Sequence, residues 1–202
     1  MLTKIDELNL ADHYYLEPAD ECYFIGEYTA GRGYAHSATN QLIYNLKKSV
    51  DRRGLAEYRF KEEAIAQAGY ALSQFLNPTF IQNGTFVPIP PSKSRDDPLY
   101  DDRISRVIRS IGPHAELREI IYQRVNAPVT HLSQYRQNPN QIYENYVIEG
   151  ELVRPLPNAI AVVDDVITTG AHFKGAQKIL SENFPDVKIY GLFLARRVPG
   201  TE

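Results

Sequence analysis

Two neighbouring carboxylates, two hydroxyls, a glycine and a histidine fall in one short stretch: Asp164, Asp165, Thr168, Thr169, Gly170 and His172. Hydroxyls can donate to phosphate oxygens. Gly170 lets backbone amides approach an anion with no Cβ in the way. Residues 159–163, just ahead, are all apolar, which suits a strand covered on both faces in a parallel sheet. The acids then stand at its carboxyl end. Open α/β sheets bind ligands there, because the loops leave a crevice and the next helix aims its free N–H groups into it. From Phe173 the apolar residues Ala176, Ile179, Leu180 and Phe184 follow at helical spacing, so the unit is strand, anion loop, helix. The same residues could form an Asx turn and a helix cap with no ligand. A cap, however, needs one Asp or Thr and not four.

A second cluster, Ser92, Lys93 and Arg95, follows a strand-like stretch at 85–90 that runs into prolines. Proline cannot donate to a sheet ladder, so this strand should end there or lie at an edge. Amides at Ser92 and Lys93 would give directional donors, and Lys93 a point charge, to an anionic group. The plainer alternative is a proline-rich surface turn with solvated charges.

The elements that must position these groups follow the hydrophobic pattern. Residues 1–21 are polar and suggest an irregular arm. Residues 22–28 have strand composition. Thr39 is the expected cap of a helix whose Leu42, Ile43, Leu46 and Val50 share a face, with Lys47 and Lys48 at its end. A longer helix carries Ala64, Ile65, Ala68, Leu72, Phe75 and Leu76 inward and Lys61, Glu62, Glu63, Gln67 and Gln74 outward, stopping at Asn77 and Pro78. Ile104, Val107, Ile108 and Ile111 mark another helix face, and residues 119–125 another strand.

At 202 residues with 43% hydrophobic content, the chain is long enough for one domain over residues 1–202 with one sizeable core. A net charge of -3 and a pI near 6.0 argue against direct nucleic-acid binding as the main task. The single Cys22 excludes an internal disulfide, and five scattered histidines form no zinc cluster. The charged first residues do not resemble a signal peptide and no run reaches transmembrane length, so a cytoplasmic protein with no membrane contact is expected.

The stretch 159–173 resembles the signature of type I phosphoribosyltransferases: a hydrophobic strand, two acids and a Thr-Thr-Gly loop. The run 87–90 followed by Ser92 and Lys93 is similar to the ComF-like branch of that family, and weaker similarity spans most of 22–197, including Leu132, Ser133, Arg136 and Asn138. The branch's N-terminal zinc ribbon is absent. The resemblance implies an α/β fold, a parallel sheet flanked by helices. A small hood would be assembled from the N-terminal arm and the residues after Ala195. It implies that Asp164 and Asp165 hold the ribose of phosphoribosyl pyrophosphate, that Thr168, Thr169, Gly170, Ala171 and His172 hold its 5-phosphate, and that Ser92, Lys93 and Arg95 hold its pyrophosphate. Mg2+ would bind mainly through the substrate, with no protein metal cage. Ribose 5-phosphate would pass to a nitrogen acceptor, a nucleobase or amine, with release of pyrophosphate. A loop within 93–136 would close over the substrate, and Arg124 and Arg136 are its candidate cations. The chain departs from the family at His172, where Ser or Thr is usual, and at Asp101 and Asp102, where amides are usual. These departures keep open a catalytically weak sensor of phosphoribosyl pyrophosphate or nucleotides, or an accessory protein with DNA-handling partners. A homodimer is also open, as dimers are common in such folds.

Overall fold

The computed structural model describes residues 1–127 and 137–199. In chain order the elements are β1 (Thr3–Lys4), β2 (Cys22–Thr29), α1 (Ala38–Leu46), α2 (Arg59–Phe75), α3 (Pro78–Asn83), β3 (Thr85–Pro88), α4 (Arg103–Arg109), β4 (Glu116–Leu117), β5 (Ile121–Gln123), α5 (Pro139–Asn145), β6 (Tyr146–Ile148), β7 (Ala159–Ile167), α6 (Ala171–Asn183) and β8 (Lys188–Val198). Six strands form one sheet in the order β1-β2-β8-β7-β3-β4, and β5 pairs with β6 in a separate antiparallel ribbon. Only β1 is antiparallel in the large sheet. The protein is therefore α/β, with a mostly parallel sheet flanked by helices.

Apolar β7 sits in the middle because both of its faces can be covered. Ile160 and Val162 join the cluster formed with α5, α6 and the N-terminal segment, while Ala161 and Val163 join the cluster formed with α1, α2 and α4. The connection from β3 to β4 runs through α4 on one face, and that from β7 to β8 runs through α6 on the other. The chain thus leaves β3 and β7 in opposite directions, which makes the gap between them the topological switch point where such sheets open a crevice. The β3–β7 ladder reaches Pro88 opposite Val163, and a last contact runs from the Ile89 amide to the Val163 carbonyl at 2.8 Å. Proline ends β3, and β7 continues past it paired with β8 alone.

One detail differs from the sequence expectations and two add to them. The cap of α1 is Ser37 and not Thr39: its hydroxyl accepts from the Asn40 amide at 3.0 Å. The segment 1–21 is a docked arm, with β1 paired to β2, a 3-10 turn at Leu10–His13, and Ile5, His13, Leu16 and Asp20 buried. After Ala195, Arg196, Arg197 and Val198 continue β8 in register with Glu27, Tyr28 and Thr29. Among the described residues no helix is long and apolar enough to cross a membrane.

Candidate functional site

Asp164 and Asp165 lie within β7, where successive side chains alternate between faces. They consequently meet different surroundings. Asp165 is 3% exposed. Lys47, just past α1, places Nζ 3.0 Å from Oδ1, and Arg103 of α4 places Nε and Nη2 at 3.0 and 2.7 Å from Oδ2. Arg103 also donates Nη1 to Asp101 at 3.0 Å. Asp101 in turn accepts from Lys61 Nζ at 2.7 Å, and Lys61 gives a second hydrogen bond to the Lys48 carbonyl at 2.7 Å. The result is a row of charges, Lys47, Asp165, Arg103, Asp101 and Lys61, on the face covered by α1, α2 and α4. Burial alone would raise the Asp165 pKa, but Lys47 and Arg103 outweigh it and hold the carboxyl well below its usual range.

Asp164 has no ion-pair partner among the described residues. Its Oδ1 accepts from the Asp165 amide at 2.7 Å, and its charge reaches the Tyr146 hydroxyl on the opposite face. Burial, followed by repulsion from Asp165, pushes its pKa up to about 7. The expectation that both acids face an open crevice is corrected here, since Asp165 is enclosed by two cations and only Asp164 keeps partial exposure. The neighbouring cleft, lined by Pro88, Pro90, Tyr100, Asp101 and Asp102, holds about 10 Å³, space for about one water.

The loop after β7 is built differently. Gly170 adopts φ 87, which favours glycine, and α6 starts at Ala171. A Cβ at Gly170 would also lie 2.9 Å from Leu16 of the arm. The Thr168 carbonyl accepts from His13 Nδ1, and the Thr169 carbonyl accepts from the Tyr15 amide at 3.0 Å. Across a trans peptide the N–H points opposite to the C=O, so the Thr169 and Gly170 amides turn away from the arm. Among the described residues neither has an acceptor. Thr168 and His172 are exposed, Thr169 Oγ1 accepts from the Ala171 amide at 3.4 Å, and His172 Nδ1 lies 3.2 Å from the Tyr146 hydroxyl. Outward amides at a helix start can receive an anion.

Among the described residues no hydrogen bond or ion pair joins the second cluster to this loop. The Ser92 carbonyl accepts from the Ala127 amide at 2.8 Å. Lys93 sits 3.5 Å from Asp97. Arg95 donates to Glu149 at 2.9 Å and to the Glu119 carbonyl at 3.0 Å, and lies over the Tyr122 ring. Arg124 is exposed. Leu132, Ser133 and Arg136 lie outside the described residues, while Asn138 caps α5 through a reciprocal pair with Gln141.

Sequence reasoning missed His13, Lys47, Lys61, Arg103 and Tyr146 as neighbours of the acids and the loop. Lys61 carried a signal, because it stands three and four residues before Ala64 and Ile65 and so shares their buried stripe. The expectation that it points outward is corrected: it is 0% exposed. Among the described residues no group of three or more His, Cys, Asp or Glu side chains could hold a metal ion. No family model matches the chain, and no curated protein matches it.

Proposed function

We propose that the chain is a type I phosphoribosyltransferase-like protein that binds phosphoribosyl pyrophosphate and transfers its ribose 5-phosphate to a nitrogen acceptor. The observation that carries this reading is the pair of outward, unpartnered amides at Thr169 and Gly170, beside an acid without an ion-pair partner, Asp164, at the switch point of the sheet. In this reading the 5-phosphate takes those amides, the Thr168 hydroxyl and the start of α6. Asp164 as a carboxylate accepts from the ribose hydroxyls. Ser92, Lys93 and Arg95 meet the pyrophosphate, for which Lys93 and Arg95 must exchange Asp97 and Glu149.

The bond from C1 to the pyrophosphate oxygen breaks, pyrophosphate leaves with the electron pair, and the acceptor nitrogen attacks C1 and loses its proton. Positive charge on the ribose ring during this step is what Asp164 would stabilise. Mg2+ takes oxygen ligands chiefly from phosphates and water, and a site with one carboxylate free of ion pairs and no cage suits an ion carried in by the substrate. When bound, it would neutralise charge on the leaving pyrophosphate.

One observation favours a second reading, a sensor that binds the same ligand without turning it over. Asp165 is already neutralised by Lys47 and Arg103, which removes one of the two charges that would assist bond breaking. Titration calorimetry with phosphoribosyl pyrophosphate and Mg2+, followed by a pyrophosphate-release assay over a panel of nucleobases and amines, decides between them. Binding with release supports the enzyme and binding without release supports the sensor. No binding overturns both and leaves the accessory protein.

A further inference from the structure

We infer that His13 is a positioning residue for the loop 168–170: its bond to the Thr168 carbonyl, together with the Tyr15 amide on the Thr169 carbonyl, sets the Thr169 and Gly170 amides outward for a phosphate-type dianion. This inference rests on the proposed reading of that loop as an anion site, and it assigns a function to the N-terminal arm.

His13 is 0% exposed. Thr168 offers only a carbonyl, so Nδ1 carries the proton at that contact. Nε2 is then the unprotonated nitrogen, and it is buried with no partner among the described residues. Burying an unsatisfied polar atom costs stability, which a leucine or phenylalanine at this position would avoid. Packing therefore does not explain an imidazole, whereas the Nδ1 donor does. Burial also keeps the ring neutral by lowering its pKa, against the Thr168 bond and the Asp12 charge, with Arg196 adding to the lowering.

The rest of the arm holds this donor in place. Leu16 packs where a Cβ on Gly170 would stand. Lys174 of α6 binds Glu17 at 3.0 Å and Asp20 at 3.0 Å, and Gln177 binds Asp20 at 2.9 Å. Arg196 of β8 binds Asp12 at 3.1 Å. The arm is thereby pinned to the helix that follows the loop and to the adjacent strand, and the loop carbonyls are fixed between these anchors. Without the two donors the peptide planes at 168–169 and 169–170 lose the contacts that orient them, and their N–H groups cease to converge.

The test measures sulfate and ribose 5-phosphate affinity by calorimetry, with thermal midpoints in parallel, for the full chain and for His13→Ala, His13→Gln, Leu16→Ala and Leu10→Ala. Leu10 is a partly buried member of the arm's packing. His13→Ala is expected to weaken both ligands about tenfold. His13→Gln, which keeps a side-chain N–H donor, should restore most of that loss. Leu10→Ala should lower the midpoint and leave affinity unchanged. If His13→Ala does not fold, Leu16→Ala against Leu10→Ala carries the comparison, since Leu16 packs beside Gly170. Wild-type binding with equal affinity in His13→Ala, or loss that follows the midpoint in every variant, overturns the inference and leaves the anion site standing. No binding by the wild type overturns both.

Discussion

The guanidinium of Arg103 closes on Asp165 through two donors, Nε at 3.0 Å and Nη2 at 2.7 Å, both onto Oδ2. Lys47 takes the other oxygen at 3.0 Å, so the acid at the centre of the motif is also the anchor joining α1 and α4 to β7. Asp165→Asn leaves Lys47 without its counter-charge and Arg103 with Asp101 alone. Breaking a buried pair from one side costs about 3–5 kcal/mol when the remaining charge stays buried. Lys47 is half-exposed and can turn to solvent, so a loss of about 2–3 kcal/mol is expected in urea unfolding. The freed cations should raise pyrophosphate affinity a few-fold while transfer falls. Tighter binding together with undiminished transfer would contradict the role given to the acid pair.

Asp164 and Asp165 should respond to pH in opposite directions. Burial and the charge of Asp165 push Asp164 up to about 7. A carboxyl whose pKa is raised by folding contributes stability that is complete below the unfolded value and is lost as pH rises through the folded one, here between about 4 and 7. Asp165 is held low by Lys47 and Arg103, so its contribution is present above the ordinary carboxyl range and lost in acid. Asp164→Asn should therefore stabilise the fold at pH 8 by roughly 1 kcal/mol, the shift being discounted for the partial exposure of the side chain. The same change should abolish ribose binding, which needs the carboxylate. Thermal unfolding from pH 5 to 8 and a carboxyl-carbon NMR titration of Asp164 check both statements.

The central strands and the turn into α6 were legible because their signals are local. An apolar run covered on both faces has no polar alternation, and a helix starting beside Gly170 announces itself by spacing. The charge row was not legible, because Lys61 and Asp101 meet across forty residues of sequence and a lysine on an apolar stripe is ordinarily solvated. The docking of the irregular arm was not legible for a related reason. Its buried residues Ile5, His13, Leu16 and Asp20 are scattered through a polar segment, and they dock by contacts to β2, α6 and the loop after β7 that lie far away in sequence. The backbone of Arg196 and Arg197 completes the β2–β8 ladder, a pairing with β2 that their charged side chains do not signal.

Lys61 tests how much of the fold rests on that charge row. Its side chain is buried, its pKa is lowered by burial against the pull of Asp101, and its donors serve Asp101 and the Lys48 carbonyl. Lys61→Met keeps the length and packing of the chain but leaves the Lys48 carbonyl without this donor and Asp101 paired with Arg103 alone. Destabilisation of about 2–4 kcal/mol is expected. The double variant Lys61→Met with Asp101→Asn should recover part of it, because the carboxylate that lost its lysine is then neutral. Denaturant midpoints of the two single variants and the double variant give the coupling directly, and additive losses would show that the two side chains do not act together.

Gly69 links this charge row to helix packing. A Cβ there would stand 2.4 Å from Ser110 Cβ, 2.7 Å from the Ser110 carbonyl carbon and 2.8 Å from the Val107 carbonyl oxygen. Two of these atoms are backbone and have no rotamer to escape into, so α2 and the end of α4 must separate if any side chain is added. Helix propensity favours Gly69→Ala by up to about 1 kcal/mol, whereas overpacking a close contact costs about 1–3 kcal/mol. The second effect should win, giving a net loss of about 1–2 kcal/mol. Because α4 carries Arg103, the displacement reaches Asp165, and Gly69→Ala should reduce ligand affinity although it touches no ligand. Stabilisation by Gly69→Ala would mean that α2 and α4 lie farther apart in solution than the contact with Ser110 requires.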